Sequence, residues 1–226
     1  MEVAVLGTGM VGRALAAKLA DLGHDVVVGT RDVGETLART EPGPMGHPPY
    51  AEWQKEHANV RLVPYAEAGA HGEIVVNATA GQGSIAALRA AGDLAGKVVV
   101  DVANPLDFSH GMPPTLSVCN TDSLGEQIQQ AFPDARVVKT LNTMNASVMV
   151  EPSRVPGDHA VFVGGEDAAA KETVKGLLRE FGWSDRSIVD LGGIRAARGT
   201  EMYLPLWLSL WGALETGDFN IAVLSA

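Results

Sequence analysis

One cysteine, Cys119, stands among 226 residues, so no internal disulfide can form. With the scattered histidines His24, His47, His57, His71, His110 and His159 it makes no zinc-type spacing such as C-x-x-C or H-E-x-x-H. No metal site is expected, and a reducing cytoplasm is the expected compartment. Basic charge is scarce: 17 Lys and Arg against 27 Asp and Glu leave a net charge of −10, which repels nucleic acid and acidic membrane surfaces alike. Long apolar runs are missing as well. The most hydrophobic stretch, from Tyr203 to Leu214, is interrupted by Pro205, Ser209 and Gly212 and falls short of the ~20 residues that span a bilayer. The opening Met1-Glu2-Val3-Ala4-Val5-Leu6 has no basic segment or cleavage site of a secretory leader. Neither export nor a membrane is expected.

What the chain does have is alternation. Short β-branched runs near Glu2-Leu6, Asp25-Gly29, Val60-Val63, Glu73-Ala78, Lys97-Val102 and Arg136-Leu141 are separated by helix-like segments, the pattern of βαβ units in a parallel sheet. The expected fold is α/β, a doubly wound Rossmann-type parallel sheet with a small C-terminal α/β extension. The first helix carries Val11, Leu15, Leu19 and Leu22 on its buried face and turns Arg13, Lys18 and Asp21 to water. Four prolines and two glycines between Glu41 and Pro49 predict an irregular surface loop. After the sixth strand come a possible strand at Asp158-Gly164, a helix at Glu166-Phe181, a short strand at Ser187-Leu191 and a hydrophobic helix at Arg198-Glu215. The Pro/Gly-containing stretch Glu151-Gly157 divides residues 1–150, a nucleotide-binding domain, from residues 151–226, an extension or cap.

Gly7-Thr8-Gly9-Met10-Val11-Gly12 has the G-x-G-x-x-G spacing, directly after a strand and at the mouth of a helix. That context gives the spacing a mechanism. The first glycine allows the tight turn, the second lets a pyrophosphate approach the backbone, and the third lets helix and strand pack closely. A nicotinamide or flavin dinucleotide is the expected ligand. The second strand then ends in Val28-Gly29-Thr30-Arg31, where an NAD site would carry an acid for the ribose 2′-hydroxyl. Asp32 comes one residue too late. Gly29 leaves room there, Thr30 offers a hydroxyl and Arg31 a guanidinium for a 2′-phosphate, so the turn selects NADP(H). Two small-residue turns, Ala78-Thr79-Ala80 and Ala103-Asn104, follow the fourth and fifth strands and are expected to border the nicotinamide ribose.

Taken together, Gly7–Gly12, Val28–Asp32, Asp101–Pro105 and Lys139-Thr140-Leu141-Asn142-Thr143-Met144-Asn145-Ala146 resemble the coenzyme F420-dependent NADP oxidoreductase family over nearly the whole chain, including the closing Gly217–Ile221 segment. The resemblance implies direct hydride transfer between NADP(H) and a deazaflavin, whose ring would lie beside Asn142, Thr143 and Met144. It also implies a homodimer, in which the apolar segment Met202–Trp211 would take part. Hydride transfer between stacked rings needs proximity more than a positioned acid or base, and no catalytic residue is nominated. Alternatives are an NADPH-dependent flavin or ferric reductase and a non-catalytic NADP(H) sensor. Lys139 reads as a structural or solvent-facing lysine, His24 as a turn residue, Cys119 as a buried or idle thiol, and Met144 and Met149 as core or ring-pocket residues.

Overall fold

Each central strand buries both of its faces, which is why the runs read as continuously apolar instead of alternating. In the computed structural model, which describes residues 1–43 and 46–224, β1 (Glu2–Leu6) turns Val3 and Val5 to one layer and Ala4 and Leu6 to the other, all fully buried. Then follow α1 (Met10–Asp21), β2 (Asp25–Thr30), α2 (Val33–Ala38), α3 (Tyr50–Glu56), β3 (Arg61–Pro64), α4 (Tyr65–His71), β4 (Ile74–Asn77), α5 (Ser84–Ala90) and β5 (Val98–Asp101). A two-residue ribbon, β6 (Leu106–Asp107) with β7 (Thr115–Leu116), precedes α6 (Leu124–Ala131), β8 (Arg136–Thr140) and α7 (Ala146–Val150). The chain closes with β9 (Val161–Gly164), α8 (Ala168–Phe181), β10 (Ile188–Asp190), α9 (Ala197–Met202) and α10 (Leu204–Leu214).

The main sheet has eight strands in the order β10-β9-β8-β5-β4-β1-β2-β3. All neighbours run parallel except β8 and β9. This is the doubly wound Rossmann-type arrangement, with its order reversing between β1 and β4, and β9 and β10 continue the same sheet beyond β8. Leu15, Leu19, Val174, Leu178 and Phe181 from α1 and α8 pack on one layer. Leu88, Leu124 and Ile128 from α5 and α6 pack on the other.

Several expectations are corrected, and Cys119 is exposed, not buried. Leu22 is 39% exposed instead of buried, because α1 stops at Asp21 and the chain swings away through Gly23 at φ 86°. Arg13 folds back over the loop that precedes α3 instead of facing water. The single helix expected over Arg198-Glu215 is two helices broken at Tyr203; Pro205 has no N–H for the Glu201 carbonyl one turn back. Of the irregular loop at Glu41–Pro49, Pro44 and Met45 lie outside the described residues. Among the described residues no helix is long and apolar enough to cross a membrane.

Candidate functional site

The carboxyl ends of β1, β2, β4, β5 and β8 converge on the glycine turn. Gly7 sits at φ 121°, and a Cβ there would lie 2.5 Å from the Ala78 carbonyl oxygen, so no other residue fits. At Gly12 a Cβ would meet the Gly7 oxygen at 2.1 Å, which welds helix to turn. Gly9 differs: nothing lies within 4 Å of its Cβ direction. It caps α1 without a side-chain hydrogen bond, and no acid occupies the first turn. Unpaired N–H groups at the start of α1 therefore face open space over Gly9, a cradle that fits a pyrophosphate.

At the end of β2 the space over Gly29 is taken by protein. A Cβ there would strike Leu6, Ala68 and Tyr65, so this glycine serves packing and does not leave room for a ligand as its position suggested. Thr30 is buried, and its hydroxyl donates to Thr36 Oγ1 at 2.8 Å, since Thr36 gives its own proton to the Asp32 carbonyl. Arg31 is exposed. Asp32 accepts from the Glu35 N–H at 2.7 Å as the N-cap of α2. One oxygen of that carboxylate is committed to the helix, and among the described residues Arg31 forms no ion pair.

On the other side of the turn lies a cleft of about 340 Å³. Its walls include Met10 and Val11, the turns Ala78-Thr79-Ala80 and Ala103-Asn104, and Asn142 and Met144 after β8. Asn104 and Asn142 bind each other reciprocally, Asn104 Nδ2 to the Asn142 carbonyl at 2.8 Å and Asn142 Nδ2 to Asn104 Oδ1 at 3.0 Å. Thr79 turns its hydroxyl inward to Asn77 Oδ1 at 2.7 Å. Thr143 is buried and does not line the cleft. Sequence reasoning missed Phe108, Leu204 and Trp207, which also line it. Trp207 was visible as part of an apolar helix, but only folding brings α10 over this edge; there its ring stacks on Phe219 at 5.4 Å.

Beneath the cleft is an ionic network with no solvent access. Lys139 is 2% exposed, which settles its reading as structural, not solvent-facing. Its Nζ lies 2.8 Å from both Asp101 Oδ2 and Glu201 Oε1. Asp101 also accepts from Asn77 Nδ2 at 2.9 Å, and Glu201 accepts the Leu124 and Gly125 N–H groups at 2.8 and 3.0 Å. Burial acts to lower the Lys139 pKa, but the two carboxylates outweigh it and hold the ammonium above its ordinary value. Burial likewise pushes the Glu201 carboxyl up. The network joins β4, β5 and β8 to α6 and α9, so it positions the site without lining it. A group that could hold a metal, Glu2, Asp25 and His71, lies at the opposite, amino-terminal edge of the strands.

A reversing parallel sheet, an uncapped glycine turn at the reversal and an apolar cleft beside it define a dinucleotide-binding protein of the oxidoreductase type. Residues 2–105 match the family model described as NADP oxidoreductase, coenzyme F420-dependent. A crystal structure of a candidate F420-dependent NADP-reductase from Arthrobacter sp. FB24 is 60% identical, with 100% of both chains covered and a TM-score of 0.94. The F420-dependent NADP reductase of Methanothermobacter marburgensis is 25% identical over 215 residues, 93% of this chain and 92% of that one. Metalloreductase STEAP3 of Rattus norvegicus is 28% identical over 210 residues, 91% of this chain; the match spans only 38% of the metalloreductase. The chain belongs to the coenzyme F420-dependent NADP oxidoreductase family.

Proposed function

We propose that this protein passes a hydride directly between NADP(H) and a deazaflavin. The observation that carries this reading is the largely apolar cleft beside the glycine turn, bordered by the ends of β4, β5 and β8 and covered by α10. NADP(H), when bound, supplies or accepts the hydride. The chain's own residues bind and orient. Gly7, Thr8, Gly9, Met10, Val11 and Gly12 hold the pyrophosphate on the N–H groups of α1. Arg31 receives the 2′-phosphate, with Thr30 bracing its turn through Thr36. Ala78, Thr79, Ala80, Ala103 and Asn104 border the nicotinamide ribose by shape and backbone. Asn142 and Met144 flank the second ring, with the buried Thr143 between them in the chain, and Trp207 helps exclude water. Proximity and orientation of two flat rings then supply most of the rate, and no general base is invoked.

The test is to add oxidised deazaflavin, or free flavin, to protein and NADPH under nitrogen and follow each chromophore. Loss of the deazaflavin absorbance is the expected result. Reduction of flavin alone makes the chain a flavin reductase, a second reading favoured by its likeness to the rat metalloreductase. Bleaching of neither, with NADPH still bound, makes it a sensor and sinks the oxidoreductase reading. For the cofactor, Arg31→Ala is expected to weaken NADPH by about 10- to 100-fold, the equivalent of one charged hydrogen bond, and NADH hardly at all. Equal losses would remove Arg31 from the site.

The homodimer is proposed on α10, whose Leu206 and Leu214 are 56% and 53% exposed, an apolar face that a second copy would cover. Sedimentation as a monomer at micromolar concentration would count against it.

A further inference from the structure

Right-handed crossovers set α1, α2 and α3 on one side of the sheet, and between them a second cleft of about 250 Å³ opens behind the glycine turn. Thr8, Arg13, Thr36, Arg39, His47 and Tyr50 are among its walls. Arg13 is oriented there by two carbonyls, its Nε donating to Thr8 O at 2.8 Å and an η nitrogen to Pro48 O. Its guanidinium lies 5.4 Å over the centroid of the Tyr50 ring. Carbonyls fix the direction of a cation but do not neutralise it. Among the described residues Arg13 forms no ion pair, and burial pulls its pKa down by more than the neighbouring Tyr50 raises it. A half-buried, uncompensated guanidinium is costly unless something anionic completes it.

Tyr50 makes the same point independently. The residue is 2% exposed, and its hydroxyl has no hydrogen-bond partner. Nearly all buried polar groups are satisfied in native proteins, so an orphan at a cleft wall marks a missing acceptor. Arg39 adds a second guanidinium at the rim, tethered to Glu35 at 3.3 Å. Glu41 is the carboxylate on the walls, and it pairs with neither arginine among the described residues. Two guanidinium groups and a phenolic O–H call for a compact anion rich in acceptor oxygens, and a phosphate group meets that description.

We propose that this cleft is a phosphate subsite of the cofactor, in which Arg13 and Tyr50 hold the monoester on the adenosine ribose from the helix side. The proposal rests on the NADP(H) reading above. Because the cleft shares Thr8, Gly9 and Met10 with the pyrophosphate turn, a dinucleotide seated on that turn runs past it. The pyrophosphate is the other phosphate within reach.

Dissociation constants for NADPH and NADH, measured by titration calorimetry on the full chain, separate these sources. Tyr50→Phe deletes only an unpaired hydroxyl, so the ligand-free melting temperature is expected to stay level or rise. The NADPH constant is expected to weaken about 10-fold, and that for NADH to change by less than about two-fold. Arg13→Gln is expected to weaken NADPH by about 10- to 100-fold with the same selectivity. Equal losses for both nucleotides would move the subsite to the pyrophosphate and overturn the monoester assignment. Unchanged constants in both variants would overturn the subsite altogether. If the unaltered protein binds neither nucleotide, the NADP(H) reading fails and takes this one with it.

Discussion

Gly9→Val is expected to give a protein that folds and melts close to the parent yet binds NADPH at least ~100-fold more weakly. The glycine lies at φ −77° and ψ −176°, a conformation that any residue adopts, and nothing in the protein stands within 4 Å of an added Cβ. The only occupant of that space is the pyrophosphate proposed for it. Loss of the N-cap glycine costs at most about 1 kcal/mol, since valine is a poor cap. Gly12→Ala makes the contrast. Its Cβ would lie 2.1 Å from the Gly7 oxygen, so helix and turn must separate, and overpacking of this kind costs about 1–3 kcal/mol or more. Thermal melts and nucleotide titrations on both variants check this: a Gly9→Val chain that unfolds, or one that binds NADPH normally, would remove the turn from the cofactor site.

Lys139→Met should cost the largest share of fold stability of any single change outside the glycine turn. It leaves Asp101 and Glu201 buried, each having lost a cation at 2.8 Å. Breaking a buried ion network by removing one partner costs about 3–5 kcal/mol, against total stabilities of roughly 5–15 kcal/mol. For a chain of this size the melting temperature should fall by about 10 °C or more. The triple change Lys139→Met, Asp101→Asn and Glu201→Gln removes the uncompensated charges and is expected to recover part of the loss. Urea denaturation decides the matter; a Lys139→Met variant within ~1 kcal/mol of the parent would mean that the network does not hold β5, β8 and α9 together.

The fold was legible because a parallel sheet covered on both faces writes itself as short, wholly apolar runs such as Val3–Leu6 and Val98–Val100. The glycine turn was legible because its spacing answers to local backbone geometry. Leu22 and the break at Tyr203 were misread for the same kind of reason: helical periodicity says which residues share a face, but not where the helix stops. Gly29 was read as leaving room for a ligand, when Leu6, Ala68 and Tyr65 fill that space, since a missing side chain is silent about what occupies its place.

The rest of the site depends on residues far apart in sequence. Lys139 looked like an ordinary lysine until β8 set it between Asp101 and Glu201. Arg13 was given to solvent by its place on α1, yet the segment before Tyr50 draws it inward through Pro48. Phe108 and Trp207 reach the cleft from the stretch just after β6 and from α10, the last helix. The sequence by itself determined the doubly wound sheet and the glycine turn, because these follow from the local rules of periodicity and backbone sterics. Only the tertiary structure decided which charges are buried, which hydroxyls are already spoken for and what walls the two clefts, because burial and partnership belong to pairs of residues that the chain brings together only when it folds.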